Sequence, residues 1–183
     1  MRKIILYIIL LLTGLQKASA QQNWRLSTET AGIQVFTSTV PDSKVKALKV
    51  ECEFSATLSQ LVMALLDVKT CTEWVYHTKS CMLIKQVSPS ELYYYSEISI
   101  PWPAENRDFV AHLIVKQDPE SKVVYVDGPA VPGFVPLKKS IVRIDHSIGK
   151  WVLTPASNNH VKVVYTLQVD PGAAIPAWLV NMF

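Results

Sequence analysis

One strand of this chain carries an arginine in its apolar row. From Arg107 the residues alternate Arg107, Phe109, Ala111, Leu113, Val115 on one face and Asp108, Val110, His112, Ile114, Lys116 on the other. Successive strand side chains point to opposite sides, so the guanidinium shares a face with the more apolar set. A cation turned toward an apolar interior is costly unless it is paired or meets an anionic ligand. The chemistry this suits is capture of an amphipathic molecule, with apolar walls for the tail and one polar anchor for the head. Asp108, on the other face, reads as a capping or pairing residue at the strand start.

Signals for catalysis or metal binding are poor by comparison. His77, His112, His146 and His160 fall in no metal-ligand motif, and no Gly-x-Ser-x-Gly elbow or phosphate-cradling glycine loop occurs. Glu51 and Glu53 share one strand face and read as solvated carboxylates. The sequence therefore leads us to expect no catalytic residue, no metal and no cofactor.

The elements that must position Arg107 are mostly strands. Alternation predicts strands over 32–37, 44–54, 82–87, 92–100, 107–117, 122–127, 140–147, 150–154 and 161–169. Turn-like segments separate the later windows, among them Ser147-Ile148-Gly149, and short links between sequential strands imply an antiparallel meander. Leu58, Leu61, Val62, Leu65 and Leu66 recur at helical spacing behind Thr57, with Gln60 three residues on, a capping-box pattern. Cys71 to Tyr76 predicts a further helical turn. Ile175-Pro176 begins an apolar run read as the start of a helix, which stops at Phe183 after barely two turns. The expectation is a chain cut inside its last helix.

The N-terminus reads as an export signal. Arg2 and Lys3 precede the apolar run 4–12, and Ala18-Ser19-Ala20 is a small-residue cleavage site. That run is too short to span a bilayer. Residues 21–183 are thus expected to form one soluble domain, exported to a bacterial periplasm or to the medium. Removing residues 1–20 takes away Arg2, Lys3 and Lys17, leaving fifteen basic and fifteen acidic residues. The formal charge of +3 belongs to the leader, and nothing basic enough for a nucleic-acid partner remains. Of the three cysteines, Cys71 and Cys81 are placed to staple a helix end to the next strand; alternatively all three are small buried apolar residues.

Several blocks resemble the START lipid-transfer domain family. They are Trp24, Gly32-Ile33, Trp74, Pro101-Trp102-Pro103 with Asn106-Arg107-Asp108-Phe109, then Trp151, Pro155, and Asp170-Pro171-Gly172 with Ile175-Pro176-Ala177-Trp178. The match runs through 22–183 in the family's order, and the spacing around Pro101 is most similar to the phosphatidylcholine-transfer branch. The resemblance implies an α+β helix-grip fold, a curved antiparallel sheet around a C-terminal helix with an apolar lipid cavity between them. It implies that Arg107 faces that cavity, meeting a phosphate or an acid from the neighbouring strand, for which Glu97 is the candidate. Tyr94, in phase with Leu92, Ile98 and Ile100, is expected to face the interior, whereas periodicity leaves Tyr93 and Tyr95 undecided. Phe109, Ala111, Leu113, Tyr165 and Leu167 lie in apolar rows and are candidate cavity walls, and Trp178 of the gripping helix joins them.

The segment 128–136 holds three prolines and two glycines around Val131, Phe134 and Val135, followed by Lys138 and Lys139. An apolar tip with a basic flank suits a gate that touches a membrane surface. The expected function is binding of one phospholipid- or sterol-like molecule, carried or presented by a monomer that meets membranes transiently. An enzyme of the helix-grip type acting on a hydrophobic substrate, and a lipid-sensing interaction module, are the alternatives.

Overall fold

A single antiparallel sheet runs through nearly all of the described chain. The computed structural model describes residues 22–172 apart from Lys44, Pro103 and Asn158. The export signal, Trp178 and the expected break in the last helix lie outside them. Ten strands form: β1 (Arg25–Thr30), β2 (Ile33–Ser38), β3 (Ala47–Phe54), β4 (Thr78–Ser88), β5 (Glu91–Ile98), β6 (Asn106–Gln117), β7 (Val124–Pro129), β8 (Ile141–Arg143), β9 (His146–Pro155) and β10 (Val161–Asp170). Between β3 and β4 lie α1 (Leu58–Leu66), a 3₁₀ turn at Val68–Thr70 and α2 (Cys71–Trp74). No helix among the described residues is long and apolar enough to cross a membrane.

The sheet order is β1-β2-β3-β10-β9-β7-β6-β5-β4, with β8 added beside β6. The expected meander is therefore broken twice. The last strand, β10, returns to pair with β3, and β8 lies parallel to the start of β6. Two local readings also change. The sequence reading began its strands at Gly32, but β1 precedes it as the other arm of a hairpin and Gly32 belongs to the turn. The turn between them places Ala31 and Gly32 at positive φ (50° and 78°), as a two-residue hairpin loop requires. Ser147-Ile148-Gly149 is not a turn but the interior of β9, paired on both sides with β7 and β10. Glycine and serine there mark a place where the sheet lacks bulk, not where it ends.

Helix α1 forms for the reason its sequence suggests. The Thr57 hydroxyl accepts from the Gln60 N–H at 3.2 Å while the Gln60 side chain accepts from the Thr57 N–H at 2.8 Å. Its apolar stripe, Leu58, Leu61, Val62, Leu65 and Leu66, packs on Leu92, Leu113, Val124, Leu153 and Val163 from the inner face of the sheet. Burying each such side chain is worth about 1.5–3 kcal/mol, so this contact closes one end of the curled sheet firmly. Beyond it, toward Arg107, the inner face is left hollow.

Candidate functional site: a lined cavity

The hollow is a cavity of about 530 Å³. Its walls come from the inner rows of β4, β5, β6, β9 and β10 and from the segment between α1 and β4. Arg107, Tyr94, Phe109, Leu113, Tyr165 and Leu167 all line it, where the alternation put them. Ala111 shares their row and is buried but does not reach the cavity wall; it bridges to Ala130 instead.

Arg107 is 2 % exposed. Its Nε donates to the Pro171 carbonyl at 3.0 Å, and Nη1 donates to the carbonyl of Glu105. Among the described residues no carboxylate comes within ion-pair distance of it. Burial lowers its pKa from the ordinary value, with Glu105 acting in the opposite direction; an arginine nevertheless stays charged. Among the described residues the site thus holds a desolvated cation served by carbonyl dipoles.

The expected partner, Glu97, is not there. Cross-strand register sets Ile98 opposite Arg107 and Glu97 opposite Asp108, so Glu97 projects from the outer face. There it accepts from Lys79 Nζ at 2.8 Å and from Asn106 Nδ2 at 3.1 Å, with Lys138 3.7 Å away. The Lys79 hydrogen bond, followed by that of Asn106, holds its pKa below the usual carboxylate range against the opposing effect of burial. Period two alone separates the pair: Tyr94 and Glu97 are an odd number of residues apart and cannot face the same side.

Aromatic rings and missing side chains give the cavity its shape. Tyr94 meets Phe109 edge to face at 5.9 Å, and Trp151 stacks on Tyr165 at 4.2 Å. On the inner face Gly128 pairs with Gly149 across β7 and β9, a shallow trough into which Leu113 and Tyr165 fold. A Cβ at Gly128 would stand 2.8 Å from the Leu113 side chain, and one at Gly149 would stand 3.7 Å from the Tyr165 hydroxyl. Sequence reasoning missed this trough because a glycine in a strand window looks like a turn. It also missed the rim, Trp74, Val75 and Tyr76, which line the cavity and are 48 %, 39 % and 75 % exposed. Cys71 and Cys81 are bonded, with their Cα atoms 6.4 Å apart, and both line the wall, so α2 and this rim are fastened to β4. Cys52 is free and half-buried.

The proline-rich segment does not border the cavity. Phe134 stacks on Tyr93 at 4.5 Å, and Tyr93 stacks in turn on His112, all on the outer face. Arg143 donates to the carbonyls of Val135 and Pro136, and the Val131 N–H donates to the Val110 carbonyl at 2.8 Å. Val131, Phe134 and Val135 therefore belong to a strap across the back of the sheet, which corrects their reading as a gate. Arg143 thereby fastens the strap to the outer face of the sheet.

The START domain family model matches residues 13–183. An uncharacterized protein of Pseudomonas aeruginosa is 29% identical over 170 residues, covering 93% of this chain and 83% of that one. The phosphatidylcholine transfer protein of Bos taurus is 26% identical over 164 residues, 86% of this chain and 75% of its own length. Among solved structures, a STAR-related lipid transfer protein fragment from Xanthomonas axonopodis superposes with a TM-score of 0.80 at 31% identity, covering 87% of this chain and 88% of that one. These likenesses and the curled sheet over its cavity agree on the α+β helix-grip fold. The chain belongs to the START domain family, a family of lipid-binding and lipid-transfer domains.

Proposed function

We propose that this protein is a carrier that takes up one amphipathic lipid, seats an anionic head group at Arg107, and shields the tail in the cavity behind it. The observation that carries this reading is Arg107 itself, buried in an apolar wall with carbonyls but no carboxylate for company among the described residues. Such a cation is expensive until an anion arrives. The volume falls within the ~300–1,000 Å³ usual for ligand pockets. The likeness to phosphatidylcholine transfer proteins supports a phosphate-bearing ligand and transfer between membranes over turnover.

Tail burial alone selects little. A methylene gains about 0.8 kcal/mol on leaving water, but almost nothing on leaving a bilayer, where it is already among tails. Selection therefore rests on the head group, and exchange on contact with the membrane. The surface suited to that contact is the exposed rim of the cavity, Trp74 and Tyr76. Tryptophan and tyrosine favour the head-group layer of a bilayer. The carrier works as a monomer outside the cytoplasm, in the periplasm or medium.

Native mass spectrometry of the protein after incubation with phospholipid vesicles tests this. One bound phospholipid per chain, lost in Arg107→Met with the fold retained by circular dichroism, is the expected result. Equal uptake by Arg107→Met would end the head-group role, and an empty wild-type protein would end the carrier reading.

A further inference from the structure

Deeper in the cavity two hydroxyls face open space. Tyr94 on β5 and Tyr165 on β10 line the wall, and among the described residues neither hydroxyl has a hydrogen-bond partner. Tyr94 lies four residues along β5 from Ile98, the residue opposite Arg107, or about 13 Å at strand rise. Both rings pack on aromatic neighbours, and Gly149 puts no side chain beside the Tyr165 hydroxyl, which lies 3.7 Å from where its Cβ would stand. Burial pushes the Tyr94 phenol up to about 12 and raises Tyr165 as well, with the charge on an ionised Tyr94 adding to the second effect. Both therefore remain proton donors at any physiological pH.

Phenylalanine would fill the same volume without setting a polar group on an otherwise apolar wall. A water molecule held there would need two to four polar partners, and the cavity wall around it is dominated by apolar side chains. A ligand oxygen between the head and the tails meets the need better.

We infer that Tyr94 and Tyr165 form a second anchor that donates hydrogen bonds to the ester carbonyls of an acyl-ester lipid whose anionic head lies at Arg107. Ester carbonyls accept and do not donate, and they sit at the junction between head group and acyl chains. The tyrosines thus read the linkage while Arg107 reads the charge. This inference rests on the lipid-carrier reading above.

The test offers the protein vesicles of phosphatidylcholine containing equal amounts of diacyl phosphatidylglycerol and its dialkyl ether analogue, which lacks both carbonyls. Uptake is counted by native mass spectrometry. Wild-type protein should prefer the diacyl lipid about tenfold, as expected for two neutral hydrogen bonds. Tyr94→Phe with Tyr165→Phe should reduce that preference to less than about twofold, each single variant falling between. Arg107→Met should lower uptake of both phosphatidylglycerols alike and leave the preference. A preference that survives in the double variant, or is missing from the wild type, overturns the second anchor while leaving the carrier intact. Uptake of neither lipid by the wild type overturns the carrier and the anchor together. Unchanged melting temperatures confirm that the phenylalanine variants fold.

Discussion

The two faces of the β5–β6 hairpin treat charge in opposite ways. On the outer face Asp108, 1 % exposed, is gripped by Arg143 through Nε at 2.6 Å and Nη2 at 3.1 Å, and Glu97 is held by Lys79 and Asn106. Lys138 adds a hydrogen bond to the Tyr95 hydroxyl at 2.8 Å. One residue along, on the inner face, Arg107 has carbonyls alone and the Tyr94 hydroxyl has no hydrogen-bond partner among the described residues. Fully matched charges specify a structure, because every member already has its partner and nothing else is wanted. Polar groups left unmatched in a mostly apolar cavity do the reverse and leave interaction free for a ligand. The difference separates scaffold from site within a single pair of strands.

Breaking the outer face should cost most. Asp108→Ala leaves Arg143 buried without its carboxylate, and urea denaturation should show a loss of about 3–5 kcal/mol. The staple beside the cavity comes next. Cys71→Ser with Cys81→Ser opens a short loop and should lower stability by about 2–3 kcal/mol, read from the same titration. On the inner face the balance shifts from stability to binding: Arg107→Met should change stability by no more than about 1–2 kcal/mol, because only hydrogen bonds to carbonyls are lost. A loss as large as that of Asp108→Ala would show that Arg107 is scaffold too, and would collapse the contrast.

The smallest effect sharpens the outer face by pH. Glu97 has its pKa lowered in the folded protein, chiefly by the Lys79 hydrogen bond. Its contribution is therefore fully present above the unfolded-chain value near 4.3 and is lost as pH falls from there through the lower folded value. Stability should decline across that acid window in the wild type, and more gently in Glu97→Gln. Identical slopes in the two proteins would deny Glu97 its place in the network.

Much of the site was legible in the alternation of β6, which sets Arg107, Phe109 and Leu113 on one side whatever else the chain does. Tyr94 was legible for the same reason. The error over Glu97 came from letting proximity in a hairpin outweigh phase: neighbouring strands bring residues together, but only those of like phase share a face. The loop holding Phe134 looked like a gate because its composition, apolar and proline-rich with lysines after it, reports flexibility and polarity but not which face it crosses. Gly149 looked like a turn because a glycine flanked by strand residues carries the same local signal whether the chain reverses or continues.

What the sequence determined by itself is therefore what is periodic or capped: helix α1 and the faces of the long strands. Tertiary structure alone decided which elements meet. The return of β10 to β3, the strap fastened by Arg143, the trough of Gly128 beside Gly149 and the lone Arg107 all depend on residues far apart in the chain. Their pairing follows from register and curl, which emerge only when every strand has packed against its neighbours.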